Sequence, residues 1–146
     1  MRILIAAALC ISAVAATAPT QAQAQNPAQG ALTLTFAGVE VPKGTILIAL
    51  YDAAGWTGGK PVRVATADAS AAKPSAVIAD LPAGSYGAKL FHDIDGDGKL
   101  GVNPFGIPTE PFAFSNDAKG VRGPAAWEDA MFSVGPGQTT QTITIR

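Results

Sequence analysis

The chain reads as an all-β protein, a single β-sandwich of about seven strands, on three observations. Apolar and polar residues alternate in short runs, glycine or proline breaks those runs roughly every eight to twelve residues, and helical periodicity is almost absent. With 16 glycines and 11 prolines, the chain has turn formers enough for that many reversals.

Taken in order, the candidate strands are residues 31–39 (ALTLTFAGV), 45–52 (TILIALYD), 62–68 (VRVATAD), 75–81 (SAVIADL), 85–93 (SYGAKLFHD), 129–135 (DAMFSVG) and 139–146 (TTQTITIR). The second is apolar on both faces, Ile46, Ile48 and Leu50 opposite Leu47 and Ala49, as a central strand would be. β-Branched residues and the preceding Pro42-Lys43-Gly44 favour strand over buried helix there. In the fifth, which follows the turn LPAGSY, alternation puts Tyr86, Ala88, Leu90 and His92 on the core side and Lys89, Phe91 and Asp93 on the other. The last alternates most cleanly, with Ile143 and Ile145 directed inward and Thr140, Thr142 and Thr144 outward. Residues 101–127 read as one long irregular segment, rich in proline and phenylalanine, that packs as a loop. A short helix of one or two turns is expected at 124–130, with Pro124 in its first turn.

The N-terminus is patterned as a secretory signal: Arg2, an apolar run, then small polar residues with Ala22-Gln23-Ala24 as the cleavage site. The run is short of the roughly 20 apolar residues that span a bilayer. The domain reading is therefore residues 1–24 as signal peptide, 25–30 as a disordered lead and 31–146 as the sandwich, in the periplasm or secreted. Leu9 before Cys10 argues against a lipoprotein signal, and loss of Cys10, the single cysteine, leaves no disulfide. The net charge is −1 and no Lys/Arg cluster occurs, which excludes nucleic acid as a partner and gives no reason for a membrane partner after cleavage. A monomer is expected.

Chemistry concentrates in DIDGDGKLG, where Asp93, Asp95 and Asp97 alternate ahead of Gly98. Carboxylates at alternate positions closed by glycine can curl around one cation, with the backbone carbonyl of Lys99 as a further ligand. Calcium takes roughly six to eight oxygens, so the loop alone is incomplete. Pro104 stands where a helix-loop-helix calcium site has its closing glutamate, and a strand precedes the loop, which rejects that motif. Asn103, Glu110, Asn116, Asp117, Glu128 and Asp129 are the oxygens available to complete the set. The competing reading is a turn whose aspartates bond nearby amides while its glycines take positive φ. Three carboxylates in five residues repel one another unless a cation or amide donors offset them, and a calcium site is the reading adopted.

LPAGSYGAKL, then FHDIDGDGKLG, Phe105-Gly106-Ile107-Pro108, Phe112-Ala113-Phe114-Ser115-Asn116-Asp117 and Ala130-Met131-Phe132 together resemble the domain of unknown function 2141 family of secreted bacterial proteins, over residues 81–134. The resemblance implies a transthyretin-like or prealbumin-like sandwich, beside the immunoglobulin-like one that seven short strands also allow, and it brings no established activity. Gly101 stands where the family has an aspartate, which removes a possible ligand; Ala113 replaces a glycine between two aromatics.

His92 is the single histidine, so no paired-histidine zinc site forms, and it is expected to hydrogen-bond the aspartate loop or the long loop. Ser85 in AGSYG opens a strand rather than a helix, unlike a hydrolase elbow. The reading adopted is a non-catalytic exported binding or structural module, with an unidentified protein or carbohydrate partner. The alternatives are a periplasmic hydrolase gathering Glu110, Asp117, Glu128 and His92 in a pocket, and a carbohydrate-binding module using Trp56 or the loop phenylalanines.

Overall fold

The computed structural model describes residues 29–146. The signal-peptide reading of residues 1–24 lies outside them. The described residues form two sheets from eight strands: β1 (Gln29–Ala37), β2 (Thr45–Tyr51), β3 (Arg63–Asp68), β4 (Ser75–Pro82), β5 (Gly84–Asp93), β6 (Phe112–Phe114), β7 (Phe132–Val134) and β8 (Gly137–Thr144). One sheet runs β4-β1-β8 and the other β3-β2-β5-β6, with β7 beside β5. All pairs are antiparallel except β1 with β8, which run parallel in register from Gly30↔Gly137 to Ala37↔Thr144.

Alternation decides which side chains enter the core. Leu32, Leu34 and Phe36 of β1, Ile46, Ile48 and Leu50 of β2, Tyr86, Ala88 and Leu90 of β5, and Ile143 with Ile145 beyond it are buried between the sheets. β4 departs from strict alternation: Leu32 pairs Ile78 and Gly30 pairs Leu81, so β4 carries one extra residue, a bulge at which Asp80 takes φ 55°. The bulge lets Ile78 and Leu81, three apart, both face inward.

β5 is the longest strand and the hub of its sheet. Its residues Gly87 to Asp93 pair β2, from Tyr51↔Gly87 to Thr45↔Asp93. Its other edge is shared by β7 at Gly84 to Tyr86 and β6 at Lys89 to Phe91. The long segment read as irregular is therefore partly regular. Phe112–Phe114 adds an eighth strand, a 3-10 turn spans Ser115–Asp117, and the helix α1 is the single turn Trp127–Ala130. Three aromatic and small residues are too short a run for alternation to declare itself; pairing with β5 makes them a strand. β1 also begins at Gln29, so the last two residues assigned to the lead belong to the sheet.

A second, smaller core lies on the outer face of the five-stranded sheet, where Trp56, Phe114, Ala125 and Ala130 pack with Tyr51 and Trp127. Gly87 permits it, because a Cβ there would stand 2.8 Å from Trp56 and 3.1 Å from Trp127. Trp56, named for the carbohydrate-binding alternative, is thus buried, and its indole N–H donates to the Ala125 carbonyl at 2.9 Å.

Candidate functional site

The aspartate loop leaves the end of β5. Asp93 is 3% exposed because the loop folds back over it, whereas Asp95 and Asp97 face solvent. Gly96 and Gly98 take φ of 82° and 75°, the left-handed turns that let the backbone circle back. That curl aims amides at the carboxylates. Asp93 accepts from Gly96 N at 2.7 Å on Oδ1 and from Gly98 N at 3.0 Å on Oδ2. Asp95 Oδ1 accepts from Asp97 N at 3.1 Å, and Asp97 Oδ1 from Lys99 N at 2.7 Å.

The three carboxylates nevertheless converge. One oxygen from each of Asp93, Asp95 and Asp97 lies within 4.8 Å of the others, and among the described residues no other His, Cys, Asp or Glu set does so. Amide dipoles offset part of the mutual repulsion. Asp95 and Asp97 each keep a second oxygen off those amides, and every carboxylate oxygen has a further lone pair. Hard oxygen donors of net negative charge fit a hard cation such as calcium; Asp93, Asp95, Asp97 and the Lys99 carbonyl are the residues that would hold it, with water in the other positions.

Of the additional oxygens considered, only Glu110 comes to the loop, and it acts on the backbone. Its Oε1 accepts from Ile94 N at 3.0 Å and its Oε2 from Gly101 N at 2.9 Å, so one carboxylate clamps both ends of residues 94–101. Asn103 caps its own turn by accepting from the Phe105 and Ile107 amides. Asp117 accepts from Thr144 N at 2.7 Å and Thr144 Oγ1 at 3.1 Å, which fastens β8. Asn116 donates to the Met131 carbonyl at 2.7 Å, and Glu128 and Asp129 stand on the exposed side of α1.

His92 is a correction. Its ring does not meet the aspartate loop or the long loop: Nε2 lies 2.6 Å from the Lys43 carbonyl in the β1–β2 connection, and since a carbonyl can only accept, Nε2 donates. The reason is alternation, which sends His92 inward and Asp93 outward from adjacent positions. Only the His92 main-chain amide reaches the long segment, donating to the Pro111 carbonyl at 2.8 Å. Ser85 lies inside β5 opposite Ser133, in a strand as expected.

Sequence reasoning missed the centre of the long segment. Ser115 is 0% exposed; its Oγ accepts from Ala88 N at 2.8 Å and donates to the Ala130 carbonyl, joining β5 to α1. With Asn116 and Asp117 it forms a three-residue bolt. The available signal was the polar triplet directly after the aromatic run 112–114.

Fold and loop together define a class: a two-sheet β-sandwich whose longest strand ends in an aspartate-glycine turn, clamped and bolted to the segment that follows. The chain belongs to the bacterial family described as "Uncharacterized protein conserved in bacteria (DUF2141)", whose model matches residues 19–142. No curated protein and no solved structure matches it. Among the described residues no helix is long and apolar enough to cross a membrane.

Proposed function

We propose that the chain is a non-catalytic, exported and monomeric β-sandwich module whose aspartate loop binds calcium, stiffening the attachment of the β5–β6 excursion and presenting it to a partner outside the cytoplasm. The observation that carries the reading is the convergence of Asp93, Asp95 and Asp97 oxygens within 4.8 Å. The Glu110 clamp supports it, because it holds the loop ends in place before any ion arrives. The non-catalytic part is supported by Glu110 and Asp117 committing both of their oxygens to main-chain amides and Thr144.

Binding to the folded state alone stabilises by mass action, by about 2.7 kcal/mol when free calcium is roughly a hundredfold above Kd. The test is thermal melting in calcium and in chelator. A rise in Tm of about 5–10 °C with calcium is expected, abolished by the double substitution Asp95→Asn with Asp97→Asn. An unchanged Tm, together with no uptake in competition with a calcium indicator, would establish the self-bonded turn instead.

A further inference from the structure

The middle of the outer face of the five-stranded sheet, beside the polar row Asp68, Thr45 and Asp93, is apolar where an antiparallel sheet with one solvated face would be polar. The strand register sets two rows across it. Thr66, Leu47, Phe91 and Phe112 stand side by side in the first. Val64, Ala49, Lys89 and Phe114 form the second. Beyond the second row the face is sealed by Trp56 and Trp127 lying on Gly87. The rows themselves are not sealed. Leu100 from the aspartate loop and Pro124 rise at the sides, leaving a groove of about 670 Å³. That volume falls within the roughly 300–1,000 Å³ of small-molecule sites.

One charged residue lines the groove, Lys89. Its ammonium sits 4.7 Å from the Tyr51 ring centroid and 4.5 Å from that of Trp56, and donates to the Trp56 carbonyl. An ammonium has three N–H groups, so two remain for an incoming acceptor. Burial pushes the Lys89 pKa below its ordinary value, the mark of a charge short of solvent. Among the described residues no carboxylate belongs to the groove lining, so an anionic ligand would meet Lys89 without a competing or repelling acid.

We propose that this groove binds a small amphipathic monoanion, with an apolar aromatic or acyl body against Leu47, Ala49, Phe91 and Phe112 and a carboxylate or sulfonate head on Lys89 Nζ. The raised walls make a trough rather than a plane, which suits a small molecule better than the flat sheet of a second copy. The proposal rests on the binding-module part of the reading above and not on calcium; the calcium melts are made without probe, so the two can fail separately.

The experiment titrates the folded chain, in calcium, with anilinonaphthalene sulfonate, an apolar monoanion, and with phenylnaphthylamine, the same ring system without its charge. Saturable one-to-one binding of the sulfonate is expected. Lys89→Met should lower the ratio of sulfonate to neutral affinity about tenfold, a change of about 1.4 kcal/mol. Ala49→Phe, which fills the trough, should weaken both probes. Val64→Glu, at a side chain 72% exposed, makes the same test on the rim without loading the core and should weaken the sulfonate more. No saturable uptake, or a ratio unmoved by Lys89→Met, or uptake indifferent to both groove substitutions in variants with native circular dichroism, would overturn the proposal. A sedimenting dimer that Val64→Glu splits would also overturn it, in favour of a second copy.

Discussion

Two polar clusters hold the long stretch between β5 and β7, and they use their oxygens over different spans. Asp93, Asp95 and Asp97 accept amides only two to five residues away in sequence. Ser115, Asn116 and Asp117 bond groups 13 to 27 residues away, on β5, on and just after α1, and on β8. Glu110 bridges the two ranges, at nine and 16 residues. The difference teaches what each cluster is for. Bonds closed within one turn shape that turn and survive with it, whereas bonds between distant elements are lost when the domain opens and so contribute to global stability. Burial separates only part of each cluster: Ser115 and Asp93 are sealed from water, whereas Asn116, Asp95 and Asp97 are in it.

The largest effect is expected at Ser115. Ser115→Ala orphans the Ala88 amide and the Ala130 carbonyl in a dry site and should cost about 2–4 kcal/mol in urea denaturation. A loss below about 1 kcal/mol would break the comparison, since the bolt would then be replaceable. Asp117→Asn comes next. Asparagine tolerates the φ of 52° there but offers one acceptor oxygen in place of two, and a loss of about 1–2 kcal/mol should appear, with faster hydrogen exchange at the Thr144 amide.

Glu110→Gln sharpens the contrast. It should cost about 1 kcal/mol and speed exchange at the Ile94 and Gly101 amides while leaving Thr144 protected. Equal acceleration at all three would merge the two regions into one cooperative unit. The smallest effect belongs to the most local device, the turn after β3, where Ser70 donates to Asp68 from its hydroxyl at 2.6 Å and its amide at 2.8 Å. Those bonds, the hydroxyl first, hold the Asp68 carboxyl below its ordinary pKa of 3.8. Its contribution is therefore present above that value and fades as pH falls through the lower folded one. Ser70→Ala should move the Asp68 NMR titration back up and shift the urea midpoint at neutral pH only slightly downward; an unmoved titration would remove the hydroxyl as its cause.

Much of the frame was legible in the residues. The inward rows of β2, β5 and β8 follow from a period of two, which a strand imposes regardless of its partners. The two-faced apolarity of residues 45–52 signalled a central strand, and β2 is central; its outer side chains line the groove and its aromatic border rather than a second buried layer. The aspartate turn was legible too, because its donors and acceptors are neighbours. His92 was misplaced for the opposite reason: its partner, the Lys43 carbonyl, lies 49 residues back. The polar triplet SND signals hydrogen bonding, but nothing local in it says that its serine will cross-link β5 to α1.

The amino-acid order by itself determined the strand faces, the turns and the clustering of acid groups, since each depends on side chains within a few residues of one another. Only the tertiary structure decided that residues 112–114 would extend a sheet, that two tryptophans would meet over Gly87, and that Lys89 would face an apolar trough. Those outcomes rest on which distant strands come to lie side by side, and that choice is made by burying the common core.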